Sequence, residues 1–193
     1  MTKQTFRSDM DVYEVNKLLQ NEIIIIDTRE HDTEELQLRK RLFPCPNCRQ
    51  KLNFGDYSIK TILRDDIEFS LADKVCIERK MSLDEISQNL TKERARFERE
   101  FQRAKDAGAK IYLLVENGSY EKIVLHDYRS LLKPKAFITS LCAFQARYDL
   151  RVIFCESTVA PLIIYDILHY ELREALLNAE AEQRMDKTVS ADD

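Results

Sequence analysis

Asp27, Asp56, Glu78 and Lys80 are charged residues that flank or end apolar stretches, and their types suit the hydrolysis of a phosphodiester. The clearest segment is Val75-Cys76-Ile77-Glu78-Arg79-Lys80. On a strand, side chains alternate, so Glu78 and Lys80 share one face while Val75 and Ile77 enter the other. A carboxylate can bind Mg²⁺, and a neighbouring lysine can orient or deprotonate a water and offset phosphate charge. Mg²⁺ takes hard oxygen ligands and is usually held by one or two protein carboxylates, with water and phosphate completing its shell. Asp56 supplies a second acid after Gly55, where the backbone is free to turn sharply. Asp27, at the mouth of an isoleucine run, is a third.

The elements that would position these residues follow from periodicity. Asp11–Gln20 has helical spacing of Val12, Val15 and Leu18. Ile23–Ile26 reads as a strand buried on both faces. Thr33–Leu42 is expected to be a helix stopped by Pro44 and Pro46, with Lys51–Phe54 and Tyr57–Leu63 as strands around Gly55-Asp56. Lys74–Lys80 is a further strand, and Ser82 with Glu85 forms a capping box for a helix to Leu90. A helix over Lys92–Ala107, a strand over Lys110–Val115, a helix from Pro134 to Tyr148 and a strand over Arg151–Cys155 come next. A long helix capped by Ser157 or Thr158 closes the chain. Alternating strands and helices without repeat or linker predict one α/β domain, a central mixed, largely parallel sheet flanked by helices.

Gly55-Asp56, then twenty-one residues, then Glu78-Arg79-Lys80-x3-Asp84 resembles the GDxnERKx3D signature of XPF-type nucleases, a branch of the PD-(D/E)XK superfamily. Asp27-Thr28-Arg29-Glu30 is similar to the D-x-R-E element that precedes it there. The resemblance implies a restriction-endonuclease-like fold over residues 22–178; the residue pattern adds a helical segment over 1–21 and an acidic, disordered tail over 179–193. It implies that Asp27, Asp56 and Glu78 hold Mg²⁺ or Mn²⁺ and that Lys80 acts on water and phosphate. Arg29, Glu30, Arg79 and Asp84 would orient these groups or contact nucleic acid. Arg79 alternates onto the apolar face and could instead pair with an acid there, and Asp84 could simply favour its helix start. XPF, Mus-type and Hef proteins usually append a tandem helix-hairpin-helix module; the expectation here is a solitary nuclease domain without it. The implied activity is a metal-dependent DNA endonuclease of repair or recombination, selective for branched or single/double-strand transitions. Alternatives are a junction-resolving or sequence-specific nuclease of the same superfamily, or a catalytically silent DNA-binding scaffold.

Charge permits such a partner. The net charge of −4 is accounted for by Glu171–Asp193, with seven acids against three bases. Within the neutral remainder, Gln37–Lys51 carries Arg39, Lys40, Arg41, Arg49 and Lys51 without one acid, the better candidate for phosphate contact. Lys92–Lys105 carries six bases, but Glu93, Glu98 and Glu100 interleave with them, as on an ordinary solvated helix. Cys45-Pro46-Asn47-Cys48 reads as a turn ahead of the Lys51 strand in preference to half a zinc site, since no second CxxC or HxxxH accompanies it. His31 reads as an exposed loop residue. No apolar run approaches the roughly 18 residues of a spanning helix, and the amino terminus has no export signal, which places the expected protein in a prokaryotic or phage-host cytoplasm. The last helix spreads Leu162, Ile163, Ile164, Ile167, Leu168, Leu172, Leu176 and Leu177 over more than one face, which predicts a homodimer through the C-terminal helices.

Overall fold

A computed structural model describes residues 12–63 and 66–189, with the backbone alone from 179 onward. Seven strands form one mixed sheet in the order β2-β1-β3-β5-β6-β7, with β4 paired to β3. Its strands are β1 (Glu22–Ile26), β2 (Asn47–Arg49), β3 (Tyr57–Ile62), β4 (Glu68–Ser70), β5 (Val75–Lys80), β6 (Lys110–Glu116) and β7 (Arg151–Cys155). β3 runs antiparallel to both β1 and β5, while β5, β6 and β7 are mutually parallel. The carboxyl ends of β1, β5 and β6 therefore meet at one end of the sheet, together with the entry to β3.

Helices cover both faces. α1 (Val12–Leu19), α2 (Glu34–Leu42) and α7 (Ala160–Val189) lie on one, and their apolar side chains pack with Ile24, Ile26, Tyr57, Ile59, Val75 and Ile77. α3 (Leu83–Asn89), α4 (Arg94–Asp106), α5 (Tyr120–Val124) and α6 (Pro134–Tyr148) cover the other, around Phe97, Phe101, Phe137, Phe144 and Cys76. The split of Val75 and Ile77 from Cys76 is the strand alternation expected of β5. β1 lies between β2 and β3 in a sheet covered on both faces, and its Ile24, Ile25 and Ile26 are buried. Thr33, Ser82 and Ser119 cap α2, α3 and α5 through their hydroxyl oxygens.

One expected strand is absent. Residues 51–56 form a loop, and the strand of this region is Asn47–Arg49, paired in parallel with β1. The alternation of buried Leu52 and Phe54 imitates a strand, but the backbone donors go elsewhere. Leu52 N–H donates to the Asp27 carboxylate at 2.6 Å, and Gly55 N–H donates to the Glu100 carboxylate at 3.2 Å. At the amino end, the expected helix is observed from Val12, and residues 1–11 lie outside the described ones. α7 continues to Val189, past Ala179, where a disordered tail was expected to begin; 190–193 lie outside the described residues.

The apolar excess of α7 is used within the chain. Ile164, Leu168, Leu172 and Leu176 are buried to 1% exposure or less, and Ile163, Ile167 and Leu177 pack partly against the same core. Leu162 and Tyr170 are exposed. The helix thus loses most of the surface from which a dimer was inferred. Leu168→Ala is expected to destabilise the fold by about 2–5 kcal/mol, and Leu162→Ala by no more than about 0.5 kcal/mol. Chemical denaturation checks both; a Leu168→Ala loss that scaled with protein concentration would place that residue at a subunit interface.

Candidate active site

The end of β1, the Gly55 turn and β5 are bolted together by backbone hydrogen bonds. Asp27 N–H donates to the Asp56 carbonyl at 2.8 Å, and Asp56 N–H donates to the Ile77 carbonyl at 2.8 Å. Gly55 has φ +70°, and a Cβ on it would meet Cys76 Sγ at 2.8 Å, so both the turn and the space require glycine. The same turn aims the Asp56 carboxylate back at β5, where its Oδ2 accepts from Arg79 N–H at 2.7 Å.

Glu78 and Lys80 lie on the face covered by α3 and α4, as the alternation predicts. Lys80 Nζ donates to Glu78 Oε1 at 2.6 Å and lies 3.6 Å from Glu85 Oε1. It also sits 5.5 Å from the centre of the Phe97 ring. Glu78 and Lys80 are both buried. Burial pushes the Asp56 carboxyl well above its ordinary range, with the charge of Glu78 adding to the rise. Glu78 is raised too, first by burial, with Lys80 opposing and Glu100 reinforcing the shift. For Lys80, burial disfavours the ammonium, but Glu78 and Asp56 outweigh it, so the lysine is held in its charged form.

Asp27 is a different kind of acid. Its Oδ1 accepts from Arg29 N–H and Nε–H, both at 2.7 Å, and its Oδ2 accepts from Leu52 N–H. Burial would raise its pKa, but these donors prevail and hold it below the usual range. A carboxylate has about four lone-pair positions, so Oδ2 retains room for one more partner.

The accessory residues divide. Arg29 holds Asp27, and Glu30 lies beneath the site with its Oε2 3.5 Å from Tyr57 Oη. Arg79 turns to the opposite face and pairs with buried Glu116 at 2.9 Å, the acid partner its alternation allowed. Asp84 is not in the cluster; its carboxylate accepts from Arg129 N–H at 2.8 Å, Ser130 N–H at 2.9 Å and Arg129 Nε–H at 3.1 Å. The basic group over Gln37–Lys51 does not form one surface. Arg39 is buried and pairs with Glu116 at 3.0 Å, because the α2 period places it beside Leu36 on the core side; this corrects its reading as a phosphate contact. Arg49 donates to the carbonyls of Thr28 and Glu30, Lys40 is half-buried near Asp32, and Arg41 and Lys51 are exposed. His31 is exposed.

Sequence reasoning passed over Glu100, taken as one of the interleaved acids of a solvated helix. It is half-buried, and its Oε1 accepts from Gly55 N–H. Its place next to Phe101 and three residues from Phe97, both buried, marks the rim of the α4 core stripe and was the available signal.

The ERCC4 domain model matches residues 26–161, from the last residue of β1 into α7. The chain belongs to the ERCC4 domain family, a nuclease family of restriction-endonuclease-like fold. Among solved structures, XPF from Aeropyrum pernix is similar at 19% identity and TM-score 0.55, over 77% of this chain and 61% of that one. XPF from Aeropyrum pernix in complex with DNA is similar at 18% identity and TM-score 0.57, over 79% and 66%. The chain thus spans less than two thirds of those relatives' length. No curated protein matches it.

A raised carboxyl pKa makes the folded protein hold a proton that the unfolded chain releases. Stability is then greatest at low pH and falls as pH rises from the unfolded value, ~4, through the folded one. Asp56→Asn mimics the protonated form and keeps an acceptor for Arg79 N–H. In EDTA at neutral pH it is expected to raise Tm by about 2–4 °C, with the gain shrinking toward pH 5. Calorimetric scans at the two pH values check this; a lowered Tm at neutral pH would contradict the strain assigned to Asp56.

Proposed function

We propose that this chain is a Mg²⁺- or Mn²⁺-dependent DNA endonuclease that cuts at branched or single/double-strand transitions. The observation that carries the reading is the pair of half-buried Asp56 and buried Glu78, both raised in pKa, with Lys80 2.6 Å from Glu78 at the carboxyl end of β5. Two neighbouring carboxylates with one ammonium, hydrogen-bonded to Glu78, leave negative charge uncompensated, and a hard divalent cation supplies what is missing.

The donor set fits such an ion. Asp56 Oδ2 and Glu78 Oε1 are engaged by Arg79 N–H and Lys80, and the remaining acceptor positions are carboxylate oxygen, with Asp27 Oδ2 as a third source. Among the described residues no three acidic, histidine or cysteine side chains stand close enough to enclose a metal, and Mg²⁺ does not require it. Asp56 and Glu78 would hold the ion, with Asp27 the third carboxylate at the same sheet end. When bound, the ion supplies Lewis-acid polarisation of the phosphodiester and a more acidic water.

The protein's own groups divide the remaining work. Lys80, held charged, is a poor general base at neutral pH; its part is to orient the attacking water and offset charge developing on the phosphate oxygens. Arg79 serves through its backbone N–H, which fixes Asp56, while its guanidinium ties β5 to β6 through Glu116. Arg41 and Lys51, exposed, are the members of the basic group left to meet phosphates. All the residues named come from a single chain; a homodimer through the C-terminal helices would rest on Leu162 and Tyr170, exposed on α7.

A catalytically silent DNA-binding scaffold is the second reading, favoured by the lack, among the described residues, of three side chains close enough to enclose a metal. Purified protein with linear duplex, flap, fork and four-way junction in Mg²⁺ or EDTA separates the two. Asp27→Asn, Asp56→Asn and Glu78→Gln are expected to lose several orders of magnitude in cleavage while keeping the fold. Lys80→Ala and Lys80→Arg are both expected to be nearly inactive yet to bind DNA, since a broad guanidinium does not replace a compact ammonium. Cleavage at the wild-type rate by both the Asp56 and Glu78 variants would sink the site. Binding of branched DNA by the wild-type chain without any cleavage would select the scaffold.

A further inference from the structure

The sheet end that carries the candidate site also carries a loop with three apolar side chains that the core does not use. β6 ends there at Glu116; α5 seats Ile123 in the core, and the chain then runs over the surface to α6, which begins at Pro134. Between them Val124 is 59% exposed, Leu125 70% and Leu131 94%. Single exposed leucines are ordinary. These differ in being carried outward on a braced loop. Asp84 accepts three hydrogen bonds from Arg129 and Ser130, His126 Nε2 lies 3.0 Å from the Ser130 carbonyl, and Tyr128 Oη donates to the Leu132 carbonyl at 2.6 Å. The Tyr128 ring is seated edge-on against buried Phe137, with centroids 5.3 Å apart. Asp84 lies in the first turn of α3, four residues after Lys80, so the brace ties the loop to the strand that bears the candidate site.

The surroundings are basic. Residues 121–135 carry Lys122, Arg129, Lys133 and Lys135 against Glu121 and Asp127; Arg129 also pairs with Asp84, but its side chain is 92% exposed, and Lys133 and Lys135 are exposed beside it. A second copy of this chain would bring like charges together here, whereas a nucleic acid meets them with phosphates. Leucine is among the side chains that wedge between base steps.

We propose that residues 124–131 form a DNA wedge: Leu125 and Leu131 pack against bases unstacked at a branch, with Arg129, Lys133 and Lys135 on the flanking phosphates. The inference rests on the reading of this chain as a DNA nuclease and assigns part of its preference for branched DNA to this loop. It also gives Asp84 a role apart from the chemistry, as the residue that sets the wedge relative to β5.

The test uses the full chain in EDTA, a fork with 2-aminopurine beside the branch, and a linear duplex of equal length. Wild type is expected to bind the fork about tenfold more tightly than the duplex and to raise the probe's fluorescence as its base unstacks. Leu125→Ser/Leu131→Ser should bind the duplex like wild type, lose the preference for the fork, leave the probe dark and melt at the wild-type temperature. A double variant that keeps both the fork preference and the fluorescence rise overturns the wedge, with the nuclease reading untouched. A variant whose mass by light scattering falls from dimer to monomer also overturns it, assigning the leucines to a second copy. Failure of wild type to bind either DNA sinks the underlying DNA reading itself.

Discussion

The constraint on which this structure turns is the burial of like charge at one end of a sheet. Asp56 and Glu78 approach each other on neighbouring elements, in surroundings dry enough to raise both pKa values. Such an arrangement is unfavourable in the free protein and is tolerated because the scaffold over-determines it. Gly55 permits the turn, Arg79 N–H fixes one oxygen of Asp56, Glu100 holds the Gly55 amide, and Lys80 neutralises part of the charge. Except for the Lys80–Glu78 pair within β5, these contacts cross between elements, so the sheet order β1-β3-β5 and the packing of α4 fix a few carboxylate positions.

The opposite face supplies the rigidity. Glu116, at the end of β6, is clasped by Arg39 from α2 and Arg79 from β5, with Tyr57 Oη 3.3 Å from Arg39. A buried ion triad is weak evidence for stability, but removing one member would leave an unpaired buried charge. Because Arg79 takes part in both the triad and the Asp56 contact, the two faces of β5 are mechanically joined at one residue.

Much of this was legible before any coordinates. The β-branched run of β1, the alternation of β5 and the Ser82 cap follow from local rules, while the acid and lysine positions rest on residue type, spacing and family resemblance. The Arg79 pairing was one of two open outcomes, and only the partner's identity had to come from the fold. What was not legible depends on long-range hydrogen bonds. Leu52 and Phe54 alternate like a strand, yet the Leu52 amide is taken by Asp27, twenty-five positions away. Arg39 looks like surface charge in a basic run until Glu116 appears opposite it. The helix α7 seemed too apolar for one chain because two helices and two strands that receive it lie far apart in the sequence. Glu100 was missed because its carboxylate serves a backbone amide, a relation that residue types alone do not reveal.

The central claim is that Asp56 and Glu78 await a divalent cation, and calorimetric titration of Mn²⁺ into the metal-free protein tests it most directly. At pH 6, in two buffers of different ionisation enthalpy, binding should release protons, since carboxyls with raised pKa values must ionise to hold the ion. The wild-type chain is expected to bind Mn²⁺ with such release, and Asp56→Asn/Glu78→Gln to bind none at this site. Equal Mn²⁺ binding by both proteins, or no binding by the wild type, would contradict the assignment of Asp56 and Glu78 to a metal.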